Sequence, residues 1–177
     1  MEIVLVIMVV FAVGIVAWLG IAQSGEPPAR GKAAPDFALE GIDGARLGLA
    51  DLRGARAAIV FHPQDETPEC LAVVERLAAL SPAADAAGTA LLAVVVSDPA
   101  AARSYAQVHG PGLRVLCDPA GRTAKAYGTL VNLGFMKFAR KLIVLLDAQG
   151  RVERVWRDPV GPAHLDELAK ALGTASP

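Results

Sequence analysis

Apolar positions along the chain fall into short runs that alternate with helical patterns. The runs suited to strands lie at 57–62, 90–97, 113–117, 142–147 and 151–156. The helical patterns begin near Pro68 and after Pro99, pass through a short turn that reaches Tyr127, and resume over 162–172. Because strands and helices alternate and a hairpin closes the set, the pattern predicts an α/β domain. We expect a mixed sheet with helices on both faces and an antiparallel edge.

A different pattern fills the beginning of the chain, where residues 3–22 are apolar, without a charge, a proline or an amide side chain. At 1.5 Å per residue this run spans roughly 30 Å, the thickness of a bilayer core. We therefore predict a transmembrane anchor over 1–23, a linker over 24–30 and a globular domain over 31–177. A cleaved signal peptide is the alternative, because residues 20–22 resemble a small-residue cleavage site.

The predicted anchor implies a lipid membrane as a partner and a single-pass membrane localisation. Arg30 and Lys32 follow the apolar run, which by the positive-inside rule places the domain in the cytoplasm. The order of anchor, linker and domain instead resembles that of extracytoplasmic thioredoxin-like proteins. The two arguments disagree, and we incline to the extracytoplasmic face.

Charge and composition exclude several classes of function. The 177 residues include 17 Lys and Arg against 18 Asp and Glu, for a formal net charge of −1 at pH 7, so nucleic acid is not expected as a partner. His109 and His164 show no metal-ligand spacing with either cysteine, and no Gly-rich phosphate loop occurs. Neither a metal site nor a cofactor is therefore predicted.

The candidate for chemistry is Cys70, which closes the segment PQDETPEC. Thr67 can cap a free amide and Pro68 suits the first helical position, so Cys70 falls in the first turn of a helix. The amides and dipole at a helix N-terminus favour a thiolate and lower the thiol pKa from about 8.5. Pro63 ends the preceding strand and turns the loop over the sulfur. The alternative is a buried structural cysteine on an apolar helix stripe.

The segment PQDETPEC resembles the Pro-x-x-x-Thr-x-x-Cys signature of the peroxiredoxins. Its Thr-Pro-x-Cys ending is similar to the bacterioferritin-comigratory, or Q-type, branch of the alkyl hydroperoxide reductase and thiol-specific antioxidant family. Further similar blocks follow in family order at 31–39, 118–128, 147–157 and 164–172. The resemblance implies a thioredoxin-like fold, a central mixed sheet flanked by helices, preceded here by one predicted transmembrane helix.

The resemblance also implies a thiol-dependent peroxidase that reduces hydrogen peroxide and organic hydroperoxides through a cysteine sulfenic acid. Cys70 would be the peroxidatic cysteine, Thr67 would place its hydroxyl against the peroxide, and Pro63 would shield the thiolate from water. The family's active-site arginine falls on Lys141, with Arg140 one residue away. Either Lys141 substitutes as a point charge, or a bulge brings Arg140 round.

Many Q-type members place a resolving cysteine five residues after the first, a position that Glu75 holds here. Cys117 ends a predicted strand and is a possible resolving cysteine, or else a core cysteine. We expect a one-cysteine mechanism in which an external thiol, such as thioredoxin or a small thiol, resolves the sulfenic acid. Two alternatives stay open: a non-catalytic thioredoxin-like binding or sensing module, and a tethered thiol-disulfide oxidoreductase, which the lack of a Cys-x-x-Cys motif disfavours.

Overall fold

The computed structural model of the chain describes residues 2–22, 25–157 and 159–173, with side chains for all of these except 16–22. The helices in these ranges are α1 (Glu2–Ala22), α2 (Pro68–Ala86), α3 (Pro99–His109), α4 (Arg122–Ala126) and α5 (Pro162–Ala171), with a 3-10 helix at Leu49–Leu52. The strands are β1 (Ala38–Gly41), β2 (Arg46–Gly48), β3 (Arg56–Phe61), β4 (Thr89–Val95), β5 (Arg114–Cys117), β6 (Leu130–Asn132), β7 (Lys137–Ala139), β8 (Leu142–Leu146) and β9 (Val152–Arg157).

Seven strands form one mixed sheet in the order β2-β1-β5-β4-β3-β8-β9, and β6 pairs with β7 in a separate hairpin. The central strands β3, β4 and β5 run parallel, whereas β8 is antiparallel to β3 and β9 is antiparallel to β8. Helices cover both faces of these central strands, so their sequences are almost wholly apolar. This order confirms the predicted mixed sheet with an antiparallel edge.

The core lies in two layers, one on each face of the sheet. On β3, Ala58 and Val60 pack toward the layer that holds buried side chains of α2, α3 and α5. Ile59 and Phe61 point the opposite way, into a layer shared with the 3-10 helix, with Tyr127 after α4, and with the β6–β7 hairpin. The alternation follows from the period of two along a strand, and it confirms the predicted helices on both faces.

The predicted transmembrane anchor is wrong. Across the ranges that the structure describes, no helix combines the length and the apolar character that a membrane crossing requires. The prediction depended on the composition of the apolar run alone. In the structure α1 lies beside strand β6 of the domain, with Cα atoms of the two elements within 8 Å of each other. The predicted membrane localisation and lipid partner depended only on that anchor. The localisation is therefore wrong, and the lipid partner has no support.

The predicted division into 1–23, 24–30 and 31–177 stays a prediction. The boundary between its first two parts falls at residues 23 and 24, which lie outside the described ranges. Residues 174–177, at the end of its third part, lie outside them as well.

Candidate active site

The first turn of α2 places Cys70 in the interior. Helix α2 begins at Pro68 with Thr67 as the extended N-cap residue, so Cys70 is its third residue. The Cys70 side chain is buried, with 2% of the residue exposed, and its N–H donates to the Thr67 carbonyl at 3.0 Å. The rest of the expected apolar stripe is buried as well, at Val73, Val74, Leu77 and Leu80. Cys70 therefore lies on the packed side of the helix.

The Thr67 hydroxyl does not cap the helix, contrary to the sequence prediction. It donates to Asp65 Oδ1 at 2.7 Å, and the Thr67 N–H approaches the same oxygen at 3.2 Å. A hydroxyl has one proton and two lone pairs, so donation to Asp65 leaves Thr67 Oγ1 with lone pairs for an approaching donor. Asp65 therefore fixes the orientation of Thr67.

The electrostatic environment of Cys70 opposes the predicted thiolate. Burial raises the pKa of the Cys70 thiol, and a hydrogen bond to the Asp65 carboxylate raises it further. The neighbouring Thr67 and Lys141 side chains, together with the charge of Lys141, act in the lowering direction but are outweighed. The predicted lowering of the pKa at the helix mouth is thus wrong for this closed site, because an acidic loop side chain and burial dominate over the helix N-terminus.

Lys141 and Arg140 take different positions. Lys141, just before β8, acts on the Cys70 thiol in the direction that lowers its pKa, through a hydrogen bond and its charge. The Arg140 guanidinium points to the Gly128 carbonyl at 3.5 Å, while the Arg140 N–H donates to the Thr129 carbonyl at 2.8 Å. The two side chains thus have different neighbours, and which of them takes the arginine's role stays a prediction.

The strand end before the loop contributes Pro63 and His62. Pro63 follows β3 and is half-buried beside the loop that leads to Thr67. His62 is buried, and its Nε2 lies 3.2 Å from the Cys70 carbonyl oxygen. Burial lowers the pKa of His62 to about 4, against opposing contributions from the Cys70 carbonyl and Asp65. At neutral pH the uncharged ring therefore donates its Nε2 proton to the first turn of α2.

Two residues of this site, Asp65 and Tyr105, are not among the predicted site residues. The Tyr105 hydroxyl, on α3, donates to the Asp65 carbonyl at 3.0 Å, and its ring lies 4.8 Å from that of His109 and 6.2 Å from that of His62. Asp65 could have been singled out from its place inside the signature. Tyr105 carried no such signal, because only the fold brings α3 to the loop.

Cys70 and Cys117 form no disulfide in the structure, and both thiols are free. Cys117 ends β5, which β4 separates from β3, and neighbouring strands lie about 4.8 Å apart. It is buried opposite Glu40 of β1, and burial raises the pKa of its thiol, with further raising by Glu40 and Asp98. Its role as a resolving cysteine stays a prediction.

Comparison with known proteins bears on this geometry. A family model described as the AhpC/TSA family matches residues 30–155. The chain belongs to the AhpC/TSA family. It is 24% identical over 147 residues to peroxiredoxin Q, chloroplastic, of Gentiana triflora, covering 82% of this chain and 67% of that protein. It is 26% identical over 148 residues to the putative peroxiredoxin bcp of Coxiella burnetii, covering 80% and 97%.

Solved structures agree in fold. A mutant of PrxQ from Xylella fastidiosa superposes with a TM-score of 0.74 at 17% identity, covering 84% of this chain and 98% of that one. Peroxidoxin BcpB from Mycobacterium tuberculosis gives 0.72 at 19%, covering 83% and 96%. The predicted resemblance to Q-type peroxiredoxins and the thioredoxin-like fold are confirmed, and the chain is a thiol-dependent peroxidase of the AhpC/TSA family.

Within this AhpC/TSA protein, a mostly apolar cleft of about 650 Å³ opens beside Lys141 between α2 and α5. Its walls include Ala72 and Val73 of α2, and Leu165 of α5. Arg76 and Asp166 form an ion pair at 3.1 Å at its rim. Among the described residues, no group of three or more His, Cys, Asp or Glu side chains could hold a metal ion.

Proposed function

We propose that this AhpC/TSA peroxidase reduces hydrogen peroxide and organic hydroperoxides at Cys70 by a one-cysteine mechanism, with an external thiol as the reductant. The observation that carries the proposal is that both Thr67 and Lys141 act on the buried Cys70 thiol. Thr67 and Cys70 lie at the start of α2, inside the segment that resembles the peroxiredoxin signature. Cys117 lies two strands from β3, which favours an external resolving thiol over an internal one.

The roles follow from the contacts. The Cys70 sulfur attacks one peroxide oxygen, forms the S–O bond of a sulfenic acid and breaks the O–O bond. The other oxygen takes up the proton that the thiol gives up and leaves as water or an alcohol. Thr67 Oγ1, whose proton is held by Asp65, offers a lone pair to the peroxide O–H, and the Lys141 ammonium stabilises the negative charge that develops on sulfur and oxygen. Pro63 covers the loop side of the site against water.

The second half of the cycle returns Cys70 to its thiol. A first external thiol attacks the sulfenic acid, releases water and forms a mixed disulfide, and a second thiol then frees Cys70 and leaves the reductant as a disulfide. Thioredoxin and small thiols both supply this chemistry. The apolar cleft beside Lys141 can accommodate the organic part of a hydroperoxide, which supports organic hydroperoxides as substrates.

The two alternatives have less support. A binding or sensing module would explain the raised pKa of Cys70, but it gives no reason for Thr67 and Lys141 to surround the sulfur. A thiol-disulfide oxidoreductase uses a Cys-x-x-Cys pair, and the two cysteines of this chain are 47 positions apart, at 70 and 117.

Steady-state peroxide consumption with a thiol reductant tests the proposal. Cys70→Ser should abolish consumption, because it removes the attacking sulfur. Cys117→Ser is the matched control and should keep wild-type turnover when the external thiol is in excess. Consumption that survives Cys70→Ser, or that is lost in Cys117→Ser while the variant stays folded, would contradict the one-cysteine scheme.

A further inference from the structure

A second cleft, of about 230 Å³, lies where β8 begins and β9 ends, and we call it the basic cleft. Its walls include three cationic residues, Arg140, Lys141 and Arg157. The turn residue Gly128 forms another part of the wall, and Glu26 is the one acidic residue among the described residues that line the cleft. The cleft therefore carries an excess of positive charge.

Sheet register brings the two arginines of the basic cleft together. Arg157 is the last residue of β9 and pairs with Leu142, the first residue of β8. It therefore lies beside the segment before β8 that carries Arg140. Arg140 is half-buried, and its guanidinium points to the Gly128 carbonyl at 3.5 Å, whereas Arg157 is exposed. The cleft thus has one arginine held against its wall and a second at its open side.

No carboxylate of the described residues neutralises these cations. The ion pairs within the described ranges join other residues, and none involves Arg140, Lys141 or Arg157. Glu26 shares the cleft but is paired with none of the three. A guanidinium is always charged, and its planar fork of N–H donors matches the two oxygens of a carboxylate. The basic cleft therefore suits a carboxylate that a ligand supplies.

Lys141 connects the basic cleft to the start of α2. It belongs to the walls of the basic cleft and also to the walls of the apolar cleft, which include Pro68 and Glu69. Pro68 and Glu69 are the two residues that precede Cys70 in α2. A small molecule whose carboxylate lies in the basic cleft therefore extends past Lys141 toward the first turn of α2.

The reducing thiol is the reactant that a carboxylate site fits. Hydrogen peroxide carries no charge, and the apolar cleft is available for the organic part of a hydroperoxide. The one-cysteine scheme requires a thiol from outside the chain, and nothing in the apolar cleft favours one thiol over another. A cleft of about 230 Å³ accommodates the carboxylates of a small molecule but not a folded protein.

We propose that the basic cleft binds the carboxylate of a small acidic thiol and presents that thiol to the sulfenic acid of Cys70. The thiol sulfur bonds to the Cys70 sulfur, and the S–O bond of the sulfenic acid breaks. The departing oxygen takes the thiol proton and leaves as water. The thiol is oxidised and the Cys70 sulfur is reduced in the mixed disulfide, from which a second thiol releases Cys70.

This assignment rests on the peroxidase function proposed above and names the class of its reductant. The cleft acts after the peroxide has reacted, so its contribution belongs to the reduction of the sulfenic acid. Binding through a carboxylate raises the local concentration of the thiol and orients it, which accelerates a reaction between two molecules.

The test compares two thiols as reductants of the peroxide-oxidised full chain: mercaptosuccinate, which has two carboxylates, and 2-mercaptoethanol, which has none. The measured quantity is the ratio of the two second-order rate constants for reduction of the Cys70 sulfenic acid, so the intrinsic reactivity of each thiol cancels between proteins. Arg157→Gln should lower this ratio about tenfold, because it removes a charge-assisted hydrogen bond. Arg157→Lys keeps the charge and should restore most of the ratio.

Arg46→Gln is the matched control. Arg46 is an exposed arginine on β2, the edge strand at the opposite end of the sheet from β9, so this variant should keep the wild-type ratio. A wild-type ratio in Arg157→Gln, or an equal fall in Arg46→Gln, would overturn the proposal.

Ionic strength gives a second measurement that needs no variant. Between about 20 mM and about 500 mM potassium chloride, the rate with mercaptosuccinate should fall while the rate with 2-mercaptoethanol stays constant, because salt screens the attraction between exposed charges. An equal dependence of both rates on salt would overturn the proposal. A wild-type chain that forms no Cys70 sulfenic acid would instead refute the peroxidase function itself.

Discussion

Lys141 is the cation that we propose to act on the Cys70 sulfur, where the family resemblance implies an arginine. Lys141→Met removes a charge that lowers the Cys70 pKa, so we expect Cys70 oxidation by peroxide to slow by about 10². Arg140→Met removes a neighbouring charge whose side chain points to Gly128. Rapid-mixing rates for both variants check the assignment, and a larger loss from Arg140→Met than from Lys141→Met would contradict it.

His62 makes stability depend on pH. Its pKa falls from 6.5 to about 4 in the fold, so above pH 6.5 the ring is neutral in both states and its contribution is fully present. As the pH falls from 6.5 to about 4, the unfolded chain binds a proton that the fold does not, and about 3 kcal/mol of stability is lost.

Urea unfolding of wild type and His62→Gln near pH 7 and near pH 4 measures this loss, which the variant should largely lack because glutamine does not titrate. His109→Gln, which removes the other histidine beside Tyr105, should keep it. An equal loss in wild type and His62→Gln would show that His62 is not the source.

Sequence reasoning selected Cys70, Thr67 and Pro63 as site candidates because the loop and the helix start form a local sequence motif. It gave the wrong direction for the Cys70 pKa, because burial depth and the orientation of Asp65 depend on the folded loop. The partner of the Thr67 hydroxyl was missed for a related reason: a helix N-cap and a loop carboxylate compete for the same side chain, and composition does not decide between them.

At the scale of elements, the segment at residues 25–27 lies against Gly128, just after α4. A Cβ added to Gly128 would collide with the Gly25 carbonyl oxygen and would sit 2.6 Å from backbone atoms of Glu26 and Pro27. Gly128 also has a φ of 69°, which disfavours other residues. Gly128→Ala should therefore displace the segment and lower the free energy of unfolding by more than about 1 kcal/mol.

Gly134→Ala is the control, because Gly134 has a φ of 85° but nothing within 4 Å of an added Cβ. It should cost about 1 kcal/mol from backbone strain alone. Limited tryptic digestion distinguishes the two, since only Gly128→Ala should cleave faster at Arg30, next to the displaced segment. Equal cleavage in both variants would contradict the packing of the segment on Gly128.

The central strands and the starts of α2, α3 and α5 agree with the sequence prediction because their apolar runs and prolines are strong signals. The hairpins β1–β2 and β6–β7 were not predicted, because their strands are only three or four residues long and too short for a period-two pattern. The Asp43-Gly44 turn, with φ of 83° at Gly44, was the available sign of the first hairpin.

At the scale of the whole molecule, sheet register explains how distant parts of the chain build one site. Phe61 at the end of β3 pairs with Leu142 at the start of β8. The loop after β3 and Lys141 before β8 therefore meet at the same edge of the sheet, where α2 begins. The hydropathy of residues 3–22 led to the wrong prediction of a transmembrane anchor, because a local average carries no information on packing against the domain.

The measurement that tests the central claim most directly is single-turnover oxidation of the reduced full chain by one equivalent of hydrogen peroxide. The sulfenic acid is trapped with a dione reagent and located by mass spectrometry, in wild type and in Cys117→Ser. We expect the trapped adduct on Cys70 in both proteins, at a rate far above that of a free thiol. An adduct on Cys117, or oxidation of Cys70 no faster than a free thiol, would contradict the assignment of Cys70 as the peroxidatic cysteine.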